Sequence, residues 1–456
     1  MKVSSWQVST RGAPWRPGAD GGKPASVKGF TDLHLVLLPQ QKFQVIDGFG
    51  GAFSEKGWRA LAALPEEARE AVLDELFLPG VGANLRVGRV PIGASDFALG
   101  WYSCNENAGD YSMEKFSIER DQQHLVPFIQ AAKARCPELQ LWASPWSPPT
   151  WMKNNGHYAC AHSLLGRRLN DLRDDQVRAE GQDAFIQEPQ HLRAYALYIR
   201  RFVDAYGDLG LPISMVMPQN EFNSSHVFPS CTWTPEGLAR FIPFLGEALS
   251  ESSASIFFGT LERADDRLFE RCYSDSNAKH YIRGIGVQWA AREAISHIHH
   301  AHPELKVYQT EQECGDGRND WRFARHTWAL MKDFFRAGAS VYSYWNIALD
   351  VPGVSTWGWP QNSMVSIDMK AQAYSLNPDY YVFKHLSHFV MPGARRIGTL
   401  SFLGYDNHLA FENPNGQIVL VIQNDLSEPM PIQIASADRG ITRLELEADS
   451  FNTIVI

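Results

Sequence analysis

Between residues 43 and 385 the chain alternates strand-like apolar runs with stretches of helical spacing, and that alternation leaves few architectures open. Such a pattern closes most readily as a parallel sheet wrapped by helices. The strand-like runs are FQVIDGFGGAF (43–53), GANLRVGRVPIG (82–93), LQLWASPWSPPTWM (139–152), ISMVMPQNEF (213–222), SIFFGTLER (255–263), IRGIGVQW (282–289), KVYQTE (306–311) and SVYSYWNIAL (340–349). Helical spacing marks Leu64–Phe77, Asp121–Arg135, Gln190–Tyr206, Pro235–Leu249, Glu293–Ala301 and Trp321–Ala337, with a polar insertion at 167–182. Eight strands in roughly 340 residues predict an α/β fold, a (β/α)8 TIM barrel with long loops.

After Pro392 the texture changes to alternating apolar and polar residues between turn signals at 413–416 and 438–440, the mark of antiparallel sheet. Trp6–Thr10 and Leu33–Leu38 are strand-like too and precede the first barrel strand. The expected organisation is a barrel at 46–388 and a side β-sandwich built from both termini, residues 1–45 and 389–456.

Of 456 residues, 44% are hydrophobic and 20% charged, enough to bury a substantial core and exclude wholesale disorder. Lys and Arg number 42 against 51 Asp and Glu, a net charge of −9. Without a sustained basic run, neither nucleic acid nor an anionic membrane is an expected partner. No apolar stretch approaches the roughly 20 residues of a spanning helix. The N-terminal MKVSSWQVSTRGAPWRPG lacks the apolar core of a secretory signal, so the cytoplasm is the expected location unless a leader was removed. Six cysteines without metal-ligand spacing read as free thiols. The 14 Trp, 15 Tyr and 25 Phe include many Trp beside Pro, Ser, Asn and Gly, which suggests a surface that stacks on a ligand.

In a barrel of this kind, polar side chains just after the apolar runs converge on one mouth. Glu221 ends the fourth run and Glu311 the seventh, so the two carboxylates are expected to face each other across the axis. Glycosidic hydrolysis needs such a pair: one carboxyl protonates the leaving oxygen while the other attacks the anomeric carbon or activates a water. A separation of about 5–5.5 Å gives retention. Either Glu alone reads more readily as a solvated strand-end carboxylate, and their pairing at the ends of the fourth and seventh strands reverses that preference.

The ordered motifs DGFGGAFSE (47–55), RVPIGASDF (89–97), ASPWSPPTWMKNNG (143–156), PQNEF (218–222), TEQECG (310–315) and YWNIALD (344–350) resemble glycoside hydrolase family 30. That group includes lysosomal glucosylceramidase and bacterial β-xylosidases, β-fucosidases and β-1,6-glucanases. The resemblance implies a retaining β-glycosidase with Glu221 as general acid/base and Glu311 as nucleophile, Glu313 being a lesser candidate for the latter role. It further implies that Asn220 contacts the sugar 2-hydroxyl, that Arg89 holds the nucleophile ionised, and that Asp96 and Trp151 bind the hydroxyls and face of the sugar. Trp345 and Asn346 would join the same wall. After strand six several relatives carry a His or Tyr against the nucleophile, where this chain reads Gln288–Trp289–Ala290; Gln288 can donate a hydrogen bond but cannot take up a proton. The loops at 103–112, 222–233 and 351–363 are expected to rim the pocket.

The cluster His297, His299, His300 and His302 reads as a solvated helix end in preference to a metal site. GFGG (48–51) lacks the Lys and Ser/Thr of a phosphate loop. No metal or other cofactor is implied. The expected activity is hydrolysis of a terminal β-linked sugar from a carbohydrate substrate. Endo-acting β-glycanase and non-catalytic sugar-binding barrel remain as alternatives, and the sugar, linkage and oligomeric state stay open.

Overall fold

The computed structural model describes residues 1–19, 22–25, 34–162 and 170–456. Leu33 of the N-terminal strand-like segment and residues 167–169 of the polar insertion lie outside them. Eight parallel strands close into a barrel in chain order: Gly48–Ala52, Val87–Ile92, Gln140–Pro145, Ile213–Val216, Ser255–Leu261, Ile282–Gln288, Lys306–Glu311 and Val341–Asn346, the eighth pairing with the first. Every residue of the second strand is buried, as befits a strand covered on both faces. At Gly50 a Cβ would come within 2.0 Å of the Val87 carbonyl oxygen, so glycine alone lets the first two strands lie this close.

Side chains along a strand alternate between the barrel interior and the surrounding helices. Val87, Trp142, Met215, Phe257 and Val341 cluster as an apolar plug, with Tyr308 packed against it. Two residues further along three of these strands the filling turns polar, at Arg89, Ser144 and Thr310, and Arg89 hydrogen-bonds both of the others. The apolar layer closes one end of the barrel and the polar layer becomes the floor of the site.

Helices follow the local signals. Thr234 accepts the Gly237 N–H at the start of Pro235–Ala248, and Asp320 does the same for Phe323 at the start of Trp321–Ala337. The latter ends at Gly338 with φ 116°, a left-handed cap that favours glycine. Helices Glu55–Ala62, Arg267–Tyr273 and Ser276–Tyr281 are not apparent from the sequence, because at eight, seven and six residues they complete too few turns to show a period. After the eighth strand a three-stranded sheet (Ala348–Asp350, Val365–Asp368, Ala373–Leu376) precedes the last helix, Pro378–Ser387.

The second domain is a ten-stranded sheet drawn from both ends of the chain. Ser5–Thr10 pairs antiparallel with Ser450–Val455, and Leu35–Val45 pairs with Arg395–Leu400 on one side and Met430–Ser436 on the other. Trp6, Val8, Leu35, Leu37, Leu420, Ile422, Ile434 and Ile454 share its core. Phe43–Val45, read from the sequence as the start of the first barrel strand, instead ends the sandwich strand Leu35–Val45. The apolar run continues through the joint, so periodicity does not mark the break. Against this domain the last barrel helix places His385, whose ring nitrogens lie 2.8 Å from Thr453 Oγ1 and 2.9 Å from Ser9 Oγ.

Candidate active site

Glu221 and Glu311 line one cavity of about 510 Å³ at the C-terminal mouth of the barrel, together with Asp96, Asn220 and Trp289. Arg89 lies beneath, fully buried, and organises the floor. Its Nη1 donates to Glu311 Oε2 at 2.8 Å, its Nη2 to Asn220 Oδ1 at 2.7 Å, and Nε and Nη2 both reach Ser144 Oγ. The guanidinium packs over Trp142, Trp146 and Trp345, which shield it from water. With Asn220 Oδ1 fixed by Arg89, the amide NH2 is left for an acceptor on the ligand.

Glu221 follows the fourth strand in a left-handed conformation (φ 44°), and its N–H donates to Thr260 Oγ1 at 2.8 Å. A non-glycine residue at positive φ is strained, and the bond to Thr260 helps retain it. Gln288 Nε2 donates to Glu221 Oε1 at 3.2 Å, while Thr310 Oγ1 donates to Gln288 Oε1 at 2.8 Å and so sets the amide's orientation. The other oxygen, Oε2, forms an ion pair with His226. Burial pushes the Glu221 carboxyl up, but His226, Gln288 and Arg89 outweigh it and hold it below the usual range. Burial pushes Glu311 up to about 7, against the pull of Arg89 and with the charge of Glu221 adding to it. A general acid across from an ionised nucleophile would lead one to expect the reverse order, and His226 is the physical reason for the difference.

Several expected residues sit elsewhere. Gln288 serves Glu221, whereas Trp289 Nε1 donates to Glu311 Oε1 at 3.3 Å. The pairing of strands six and seven slips between Val287 and Gln288, so that Gln288 stands opposite Glu311 in the ladder while its amide bonds Glu221. Trp151 does not line the cavity: its Nε1 donates to the Asn105 carbonyl at 2.9 Å and its ring meets Tyr111 edge-on. Of that motif it is Trp146, five residues earlier, that lines the cavity, along with Trp289 and Trp359 from other loops. Trp345 stands behind Trp146, ring centroids 5.3 Å apart, and Asn346 donates to Gln361 Oε1 at 2.8 Å, so Gln361 reaches the cavity in its place. Of the three expected rim loops, 222–233 and 351–363 contribute wall residues, while 103–112 buttresses Trp151.

Glu313, two residues past Glu311, also lines the cavity but is held by Arg292 Nη1 at 2.7 Å and by His326, with no bond to Arg89. Asp96 is pushed well above the usual carboxylate range by burial beside Glu311 and Glu221. Glu262, directly after the fifth strand, joins the site without having been expected there. Burial and the Glu221 charge push it up to about 7, and Ser224 Oγ donates to its Oε1 at 2.7 Å. Its position after the run SIFFGTL meets the same criterion that selects Glu221 and Glu311. His226 has a fainter sequence signal, a lone histidine in the loop after the fourth strand.

Among the described residues no group of three or more His, Cys, Asp or Glu side chains is placed to hold a metal ion. His297 and His302 pair instead with Asp266 and Glu270. The six cysteines are buried and free. No helix among the described residues is long and apolar enough to cross a membrane.

Residues 46–390 match the family model described as the glycosyl hydrolase family 30 TIM-barrel domain, and residues 393–454 match that of the family's beta sandwich domain. The chain is 30% identical over 421 residues to putative glucosylceramidase 1 of Caenorhabditis elegans, covering 87% of this chain and 76% of that one. It is 26% identical over 459 residues to the endo-1,6-beta-D-glucanase neg1 of Aspergillus fumigatus, covering 95% and 87%. The crystal structure of SrfJ from Salmonella typhimurium superposes with a TM-score of 0.86 at 23% identity over 100% of this chain and 99% of that one, a likeness of fold.

Proposed function

The chain belongs to glycosyl hydrolase family 30, and from that premise we propose that Glu311 and Glu221 carry out a double displacement on a β-glucoside. Glu311 attacks the anomeric carbon while Glu221 gives its proton to the departing oxygen, so the glycosidic bond breaks as a glycosyl ester forms on Glu311. Glu221 then takes a proton from water, the resulting hydroxide attacks the anomeric carbon, and Glu311 leaves as a carboxylate. Arg89 holds Glu311 in place and favours its ionised form against the burial that raises it, and Asn220 donates to the 2-hydroxyl as positive charge develops on the ring. Trp289, partly exposed in the cavity wall, supplies an apolar face for the sugar's C–H bonds. The single observation that carries this reading is Arg89 joining Glu311 and Asn220 at 2.8 and 2.7 Å on the floor of a cavity that Glu221 also lines.

Glucose is the favoured sugar because glucosylceramidases and endo-1,6-glucanases, the relatives above, share a β-glucosyl group at the cleaved bond. The cavity lies within the roughly 300–1,000 Å³ of small-ligand pockets, which suits a terminal sugar and a short leaving group. A panel of nitrophenyl β-glycosides, with NMR of the first-formed product, tests both parts. The glucoside should be cleaved fastest and the β-anomer should appear first; initial α-anomer contradicts the double displacement.

A second reading, endo-hydrolysis of a β-1,6-glucan, is favoured by the charged wall beside Glu221. Glu262, Arg263, Arg292 and Glu313 suit a hydroxylated leaving group better than a lipid, and Trp359 stands 41% exposed at the mouth. Oligosaccharide products at early times would establish endo action, and glucose alone would establish exo action.

A further inference from the structure

His226 lies five residues beyond Glu221, in the loop that follows the fourth strand. Its ring stacks on Phe228 with centroids 4.4 Å apart and planes 14° from parallel. The His226 carbonyl accepts the N–H groups of Cys160 and Ala161 at 3.1 and 2.9 Å, and its own N–H donates to Ser230 Oγ at 3.2 Å. The imidazole is therefore anchored from its backbone and from one face, with Nε2 against Glu221 Oε2.

We propose that Glu221 and His226 work as one proton-holding pair, with His226 a positioning residue that extends the range of pH over which the general acid is loaded. The proposal rests on the assignment of Glu221 as acid/base. The other oxygen of Glu221 meets Gln288, an amide that takes up no proton, so His226 is the titratable group in direct contact. Around the imidazole, Glu262 and Asp96 add smaller contributions of the same sign as Glu221, while Arg263 is engaged with Glu262 and Glu180 and Arg89 with Glu311 and Asn220. His162 lines the same cavity, paired with Asp174. The acidic surroundings favour a proton on His226, consistent with the rise in its pKa that Glu221 produces.

In the resting pair one proton is shared between Nε2 and Oε2. Cleavage passes it through Glu221 to the leaving oxygen, which leaves neutral His226 beside ionised Glu221. The proton that Glu221 later removes from water restores the pair. Two coupled sites lose their last proton at a pKa no lower than that of either site alone. Removing the imidazole therefore moves the alkaline limb of activity in one direction only, to lower pH.

The test is the pH profile of kcat/KM on nitrophenyl β-glucoside for wild type and His226→Gln. The alkaline limb should fall by about one pH unit or more, with KM changed little. An unshifted limb in a folded His226→Gln enzyme overturns the proposal. On dinitrophenyl glucoside, whose leaving group needs no proton, Glu221→Gln should retain first-step activity that it loses on a poor leaving group. If Glu221→Gln behaves alike on both, the acid/base assignment itself has failed. A measurement that does not depend on folding of the histidine variant is the 15N NMR titration of the His226 ring. It should titrate above the ordinary histidine value in wild type and at least about one unit lower in Glu221→Gln; equal values overturn the proposal.

Discussion

Two histidines in different regions of the molecule, His226 partly buried and His385 fully so, have opposite fates. His226 faces carboxylates in the cavity; burial alone would lower its pKa, but Glu221 with Glu262 and Asp96 raises it. His385, at the joint of barrel and sandwich, faces the hydroxyls of Ser9 and Thr453, and burial with Lys384 alongside pushes it down to about 3. The same side chain is a charged partner in one place and a neutral hydrogen-bonding peg in the other. Burial lowers both rings; what separates them is that the carboxylates facing His226 offset its burial, whereas complete burial of His385 is opposed by no negative charge and Lys384 adds to it.

The contrast can be broken from the catalytic side first. Glu311→Ala should reduce kcat by about 10^4-fold or more, as loss of a covalent nucleophile does, while thermal unfolding moves little. A large drop in Tm would mean that Arg89 and Glu311 are a structural pair before they are a catalytic one. Next in size is the acid limb. Glu311 is held near 7, so below that pH it takes up a proton, and kcat/KM should fall roughly tenfold per pH unit. A profile flat down to pH 5 would contradict the raised value.

From the structural side, His385→Asn should leave kcat unchanged and lower stability by about 1–3 kcal/mol, the usual consequence of unpairing buried polar groups. The sign of its pH dependence follows from its depressed pKa. Between the ordinary value of 6.5 and about 3 the unfolded chain binds a proton that the folded one excludes, so wild-type stability falls as pH drops through that window. His385→Asn removes this contribution, and Tm against pH should become flatter. The smallest effect belongs to Trp151→Phe, which should change kcat/KM by less than about threefold, since the ring packs outside the cavity. A large loss would restore Trp151 to the sugar site.

The barrel, the sandwich and the two acids at 221 and 311 are legible because each is written in local sequence: alternation, period two, and a polar residue at the end of an apolar run. What escapes depends on how the chain turns after a strand stops. In ASPWSPPTWM both Trp146 and Trp151 follow the third strand, and the prolines between them decide which one faces the cavity. Which of the two carboxylates Gln288 meets is not legible in the sequence, because the slip after Val287 has no periodic signature. His226 meets Glu221 through a loop whose shape is set by bonds to Cys160, Ala161 and Ser230, the first two of which belong to a distant part of the sequence. Glu262 is within reach of the rule that finds the other two acids.

The central claim is that Glu311 becomes bonded to the sugar during turnover. Incubation with a 2-deoxy-2-fluoro β-glucoside bearing a good leaving group, followed by intact mass and peptide mapping, examines that bond directly. One fluoroglucosyl adduct on Glu311 is the expected result, and an adduct on Glu313 or Glu262 would contradict the account.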